Sequence, residues 1–171
     1  KICLINVPNT YELVGNDPVI IKDQQGVYPP LGLLYTSAYI NQKGQHHVDV
    51  IDCQAKELNH VQCAERVEQL KPDLIGLTAM TFTLVDCKLV IQEIRKRLPN
   101  TPIVVGGPHT AIYPEETLLP SSLDADYVVK GEAEITLNDL ACDLEIGKPK
   151  NRIYQQLQFI DKLDELPFAD Y

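Results

Sequence analysis

Apolar residues along this chain fall into two rhythms. Short runs rich in Val, Ile and Leu occur at Ile2 to Val7, Val48 to Ile51, Leu74 to Leu77, Ile103 to Val105 and Tyr127 to Val129. Four of them are continuous rather than alternating, as expected of parallel strands covered on both faces. Between the runs, apolar positions recur at helical spacing. Leu84, Cys87, Ile91, Ile94 and Leu98 make one stripe. Leu137, Leu140, Ala141 and Leu144 make a second, and Cys63, Val67 and Leu70 a third.

Start and stop signals agree with this alternation. Pro29 and Pro30 open a first helix, and Pro114 opens a short one with Glu115 and Glu116 in its first turn. Thr83 and Asp86 have capping-box spacing, while Gly44 and Gly147 stand where helix C-terminal glycines belong. Strand and helix alternate five times, and right-handed crossovers turn that pattern into an open twisted sheet with helices on both faces. The expected fold is α/β, a flavodoxin-like doubly wound sheet of five parallel strands in the order 2-1-3-4-5. A dinucleotide-binding strand order is the alternative. Residues 1–147 form the domain, and 148–171 an arm and linker. Within that arm, Asn151 to Ile160 reads as one more strand or an ordered segment, and Leu163 to Tyr171 as a linker.

Composition narrows the function classes. A net charge of −9 argues against a nucleic-acid partner, which needs clustered cations. Arg95, Lys96 and Arg97 are better placed as the last turn of a helix. There is no run of ~18 apolar residues and no signal peptide, so no membrane partner is expected. The five cysteines, Cys3, Cys53, Cys63, Cys87 and Cys142, lack CxxC spacing and sit in apolar surroundings. Free buried thiols in a reducing, cytoplasmic setting account for them.

In a doubly wound sheet, ligands bind outside the carboxyl ends of the strands. The first such loop, Pro8 to Tyr28, is long and carries Asn9, Tyr11, Gly15, Asn16 and Asp17. After the third strand come Thr78, Ala79, Met80, Thr81, Phe82 and Thr83. Their hydroxyls suit a buried ligand, or equally a helix cap and backbone bonds. After the fourth come Gly106, Gly107, Pro108, His109 and Thr110, where paired glycines admit a close neighbour or form a tight turn. After the fifth, Gly131 and Glu132 offer close approach and an acceptor, or a first-turn carboxylate. His46 and His47 lie at the opposite end of the sheet. The chain has no GxGxxG after its first strand, no GxxxxGK[ST] and no GxSxG. No cluster capable of acid–base chemistry by itself is visible.

Four segments in order carry a resemblance. They are Pro29 to Tyr35, Pro72 to Thr78, Val104 to His109 and Asp126 to Glu132. Together they resemble the N-terminal cobalamin-binding domain of cobalamin-dependent radical SAM enzymes, over roughly residues 1–147. The tail Leu166 to Tyr171 is similar to that family's link into a radical SAM barrel. The resemblance implies cobalamin against the C-terminal edge of the sheet, with its nucleotide tail toward the third, fourth and fifth strand loops. Thr78, Gly106, Gly107 and Gly131 match the positions expected near that tail. The candidate cofactor-binding set is Thr78, Met80, Thr81, Phe82, Gly106, Gly107, Pro108, His109, Gly131 and Glu132, with no residue assigned to catalysis or to a metal.

By the same resemblance, the chain is a cofactor module and not a complete enzyme. The whole protein would be a radical SAM enzyme of methyltransferase type. S-adenosylmethionine and an iron–sulfur cluster would belong to a downstream domain, since CxxxCxxC is absent here. The DxHxxG motif of methionine-synthase-type domains is absent too, so no histidine from it can ligate cobalt. The alternative is an interaction or scaffolding domain with the same fold and no corrinoid. A response-regulator-like module fits less well, because the first strand ends in Asn6-Val7-Pro8 without an acidic cluster.

Overall fold

The structure, a computed structural model, describes residues 1–11, 26–156, 160 and 162–169. Gly15, Asn16, Asp17 and Tyr171 therefore lie outside the described residues. Among the described residues the strands are β1 (Ile2–Asn6), β2 (Val48–Asp52), β3 (Leu74–Thr78), β4 (Ile103–Gly106), β5 (Tyr127–Lys130) and β6 (Ile153–Gln155). They form one all-parallel sheet in the order β2-β1-β3-β4-β5-β6. The helices are α1 (Leu31–Lys43), α2 (His60–Leu70), α3 (Leu84–Arg97), α4 (Pro108–Ile112), α5 (Pro114–Thr117) and α6 (Ala133–Glu145). The expected α/β class and the order of the first five strands hold.

The count of five strands does not, because β6 extends the sheet beyond β5. Three residues are too few to carry a period, so β6 is held by tertiary contacts rather than by pattern. The Tyr154 hydroxyl donates to Asp143 Oδ2 of α6 at 2.8 Å and accepts from Lys150 N at 3.0 Å. Arg152 donates to the carbonyls of Ala125 and Asp126. Tyr154→Phe leaves the buried Asp143 carboxylate short of a donor. A loss of about 2 kcal/mol, or roughly 4 to 8 °C in the melting midpoint, is expected by differential scanning calorimetry.

Strand alternation divides the core in two. Cys3, Ile5, Ile75, Leu77, Ile103 and Val105 face α2 and α3, meeting Cys63, Val67, Cys87, Ile91 and Ile94. Ile2, Leu4, Leu74, Val104 and Val129 face α1 and α6, meeting Ile40, Leu137, Leu140 and Ala141. The stripes on α2, α3 and α6 thus do the burying their spacing predicts. Gly44 is left-handed at the end of α1 with φ 73°, and Gly147 follows α6 with φ 65°.

The Thr83–Asp86 capping box is not formed. Thr83 ends a 3-10 turn (Thr81–Thr83) outside the extended conformation a cap requires, and its hydroxyl donates to Met80 O at 3.2 Å. Asp86 is instead wholly buried, accepting from Tyr11 N at 3.0 Å and lying 2.7 Å from His60 Nε2. The complete capping box belongs to α2: Asn59 Oδ1 accepts from Gln62 N, and Gln62 Oε1 from Asn59 N, both at 3.0 Å.

Four cysteines are buried and Cys142 is partly so, all as free thiols. Burial pushes the Cys3 and Cys87 thiols up to about 12.

Candidate functional site

The strand register sets out two rows of residues on the face toward α1 and α6. The inner row is Leu4, Gly76 and Val104, and the row nearer the C-terminal edge is Asn6, Thr78 and Gly106. Two of these six positions are glycine: the Leu4 side chain packs over Gly76, and the space over Gly106 is open. The first turn of α1 and the first turn of α6 roof the hollow, through Leu31, Gly32 and Leu33 on one side and Ala133, Glu134 and Leu137 on the other. The result is a cavity of about 660 Å³.

Most of the expected residues line it: Thr78, Met80, Phe82, Gly106, Gly107, Pro108, Gly131 and Glu132. Thr81 and His109 do not. They pair with each other, Thr81 Oγ1 lying 3.2 Å from His109 Nδ1. His109 is buried, its ring tilts against Tyr113 at 5.3 Å, and its Nε2 meets no partner among the described residues.

The two glycines of the fourth loop have different roles. A Cβ on Gly106 would meet only Val129, at 3.7 Å from its carbonyl oxygen and 3.8 Å from its Cβ, which is ordinary contact. Anything larger would grow into the cavity. Gly107 has φ 103°, and a Cβ there would lie 2.7 Å from Ala79 O. Gly107 is therefore demanded by the fold itself, whatever binds nearby.

Residue-by-residue reading missed most of the roof. Tyr28, Pro29, Pro30 and Thr36 line the cavity; Tyr28 ends the long first loop, Pro29 and Pro30 fall in the resembling segment, and Thr36 carries no sequence signal. Gly76 was the available signal on the floor, since a glycine in a strand interior marks a close approach. A Cβ there would strike Leu4 Cδ2 at 2.6 Å.

Polar groups gather at the rim. Thr78 Oγ1 has no hydrogen-bond partner among the described residues. Asn6 Nδ2 donates to Asp52 Oδ1 at 2.9 Å, and Thr36 Oγ1 to Gly32 O at 2.7 Å. Glu132 Oε2 accepts from Ile160 N at 3.2 Å. Burial, reinforced by the Glu132 charge, raises the Glu134 carboxyl above its ordinary value. No Lys, Arg or His of the described residues lines the cavity. Such a site takes a flat, largely apolar group with a few polar atoms at its edge.

The B12 binding domain family matches residues 18–141, more than half of the chain. This chain belongs to the B12 binding domain family. An uncharacterized methyltransferase of Pyrococcus horikoshii is 31% identical, over 84% of this domain and 33% of the relative. An anaerobic magnesium-protoporphyrin IX monomethyl ester cyclase of Synechocystis is 33% identical, over 90% of this domain and 29% of the relative. Among solved structures, the cobalamin-dependent S-adenosylmethionine radical enzyme OxsB with aqua-cobalamin bound superposes with a TM-score of 0.76 at 18% identity, covering 98% of this domain and 24% of that chain. The radical S-adenosylmethionine methyltransferase TsrM of Kitasatospora setae, with cobalamin and a 4Fe–4S cluster bound, gives 0.64 at 20% identity over 87% and 27%. These two likenesses establish the fold. The B12-binding domain described here spans a third or less of each of these proteins.

The residues present fit cobalamin on their own geometry. The glycine-floored hollow has room for the flat base of the nucleotide tail, and Gly106 leaves open the space a side chain would fill. Thr78 sets an unpaired hydroxyl at the edge, among the described residues.

Proposed function

We propose that this chain is the cobalamin-carrying module of a radical SAM enzyme of methyltransferase type. The observation that carries the reading is the hollow at Gly76 and Gly106, roofed by the first turns of α1 and α6, in a chain of the B12 binding family. The roles of Thr78, Gly106 and Gly131 at the nucleotide tail, and of Met80, Phe82, Pro108 and Glu132 beside it, are part of this proposal. So is a downstream radical SAM domain holding S-adenosylmethionine and an iron–sulfur cluster. The names of the relatives support it. No helix of the described residues is long and apolar enough to cross a membrane. A cytoplasmic setting is proposed on the five free thiols.

Bound cobalamin would supply a cobalt–carbon bond for methyl transfer. The chain's own contribution is position and exclusion of water. Leu4, Val104, Val129 and Leu137 wall the hollow with hydrocarbon. Thr78 offers a hydroxyl that donates or accepts at the rim.

Titration with hydroxocobalamin tests this, followed by gel filtration to remove free corrinoid. A stoichiometric, pink protein is expected. A colourless protein with no saturable spectral change would favour the scaffolding alternative. Because no described histidine lines the cavity and DxHxxG is absent, no imidazole from this chain is expected on cobalt in the bound corrinoid. Electron paramagnetic resonance of the Co(II) form reads this directly. A nitrogen coupling abolished by changing His46, His47 or His109 would refute it.

A further inference from the structure

At the end of the sheet opposite the cavity, electron-pair donors gather around one thiol. Cys142 lies in the last turn of α6 and is partly exposed. Its Sγ is 3.5 Å from Gln45 Oε1 and 3.5 Å from His46 Nε2, both in the turn between α1 and β2. One helical turn earlier, Asn138 brings its amide nitrogen to 3.9 Å from the same sulfur. The Asn138 Oδ1 atom is buried and meets no hydrogen-bond partner among the described residues. Half a rotation of that amide exchanges its two ends and turns the oxygen toward the sulfur. The cluster then holds a sulfur, an imidazole nitrogen and two amide oxygens, with at most a thiol proton and one imidazole proton among them.

A tetrahedral zinc ion about 2.3 Å from sulfur and about 2.0 Å from nitrogen or oxygen sets those donors about 3.5 Å apart. The separations from Cys142 Sγ to His46 and Gln45 are the same. The local field has the matching sign. Burial, then the charges of Asp139, Glu145 and Asp143, raise the Cys142 thiol above its ordinary value. Surroundings that oppose a lone thiolate favour a cation beside the sulfur. Lys150 answers Asp143 in part, at 3.4 Å. The other four thiols are buried, which leaves Cys142 as the one an ion reaches.

We infer that Cys142, His46, Gln45 and Asn138 form a binding site for a thiophilic divalent cation, with Zn2+ the best fit to its donors. Among the described residues no three Cys, His, Asp or Glu side chains gather as a metal set, so the amide oxygens complete this one. The site lies away from the corrinoid hollow and does not depend on what fills it. On binding, the S–H bond breaks, the sulfur electron pair forms the S–Zn bond, and the proton passes to water with no electron transferred. The ion ties the turn before β2 to the last turn of α6.

The test is titration of the corrinoid-free chain, first stripped by a chelator, with Co(II) as the optical stand-in for Zn2+. A near-ultraviolet thiolate-to-Co(II) band is expected, saturating at about one equivalent and bleached by Zn2+, with about one proton released per ion. The melting midpoint is expected to rise with Zn2+ concentration. Cys142→Ser is expected to lose the band, and His46→Ala to weaken Zn2+ binding about tenfold or more. His47→Ala, at the exposed neighbour paired with Asp49, is expected to bind as wild type does. Far-UV circular dichroism shows that each variant is folded. No band in wild type at a large excess of Co(II), or an unchanged band in Cys142→Ser, would overturn the site. Equal losses in His46→Ala and His47→Ala would overturn the assignment of its imidazole.

Discussion

Gly106→Val is expected to weaken cobalamin binding by up to about a hundredfold while the protein stays folded. The position is the last of β4, and its Cβ meets nothing closer than 3.7 Å, so a β-branched residue suits both strand and surroundings. Its two methyl groups have only the cavity to occupy. Overfilling a preformed site costs about 1–3 kcal/mol, up to about a hundredfold in affinity. Thr78→Val removes one neutral hydrogen bond of about 1 kcal/mol, roughly fivefold. Hydroxocobalamin titration of both variants beside wild type, with far-UV circular dichroism, measures the difference. If Gly106→Val binds like wild type, no ligand group lies over that strand end.

Gly107→Val is expected to fail to fold, and Gly107→Ala to melt well below wild type. Two costs combine. The backbone at φ 103° and ψ 178° lies in a region that is essentially glycine-only, at about 1–3 kcal/mol for other residues. A Cβ would also lie 2.7 Å from Ala79 O and 2.9 Å from both Ala79 N and Thr78 Oγ1. Ala79 cannot retreat cheaply, since its N donates to Gly106 O at 2.8 Å and its O accepts from His109 N at 3.1 Å. Against a typical total of about 5–15 kcal/mol, this is a large fraction. A melting midpoint for Gly107→Ala within about 2 °C of wild type would contradict it. The sequence offers Gly106 and Gly107 together as room for a close neighbour or as a tight turn. Both line the cavity, and Gly107 is required by the loop conformation as well.

That difference shows where sequence is informative. Continuous Val/Ile/Leu runs name the buried strands because burial on both faces leaves no other composition. The stripes on α2, α3 and α6 name their inward faces for the same reason. The loops after β3, β4 and β5 are legible once the fold is known, since topology sends them all to one edge. The roof is not, because where α1 and α6 cross the sheet depends on packing between distant segments such as Ile40 and Leu140. Asp86 is misread for a related reason. Its spacing from Thr83 suits a cap, but its partners Tyr11 and His60 come from the loop after β1 and the first turn of α2. The β6 strand rests on Tyr154 and Asp143, a pair no local pattern announces.

The placement of the thiols has a practical consequence. Cys3, Cys53, Cys63 and Cys87 all lie in the half of the core opposite the cavity, and burial suppresses the thiolate in Cys3 and Cys87. Only a thiolate reaches an alkylating reagent, so these sulfurs stay silent until that half opens. Native-state alkylation therefore clocks the opening of one layer of the sheet, residue by residue in a mass spectrum. Run with and without corrinoid, the same clock reports how far occupancy of one face steadies the other, with no mutation introduced.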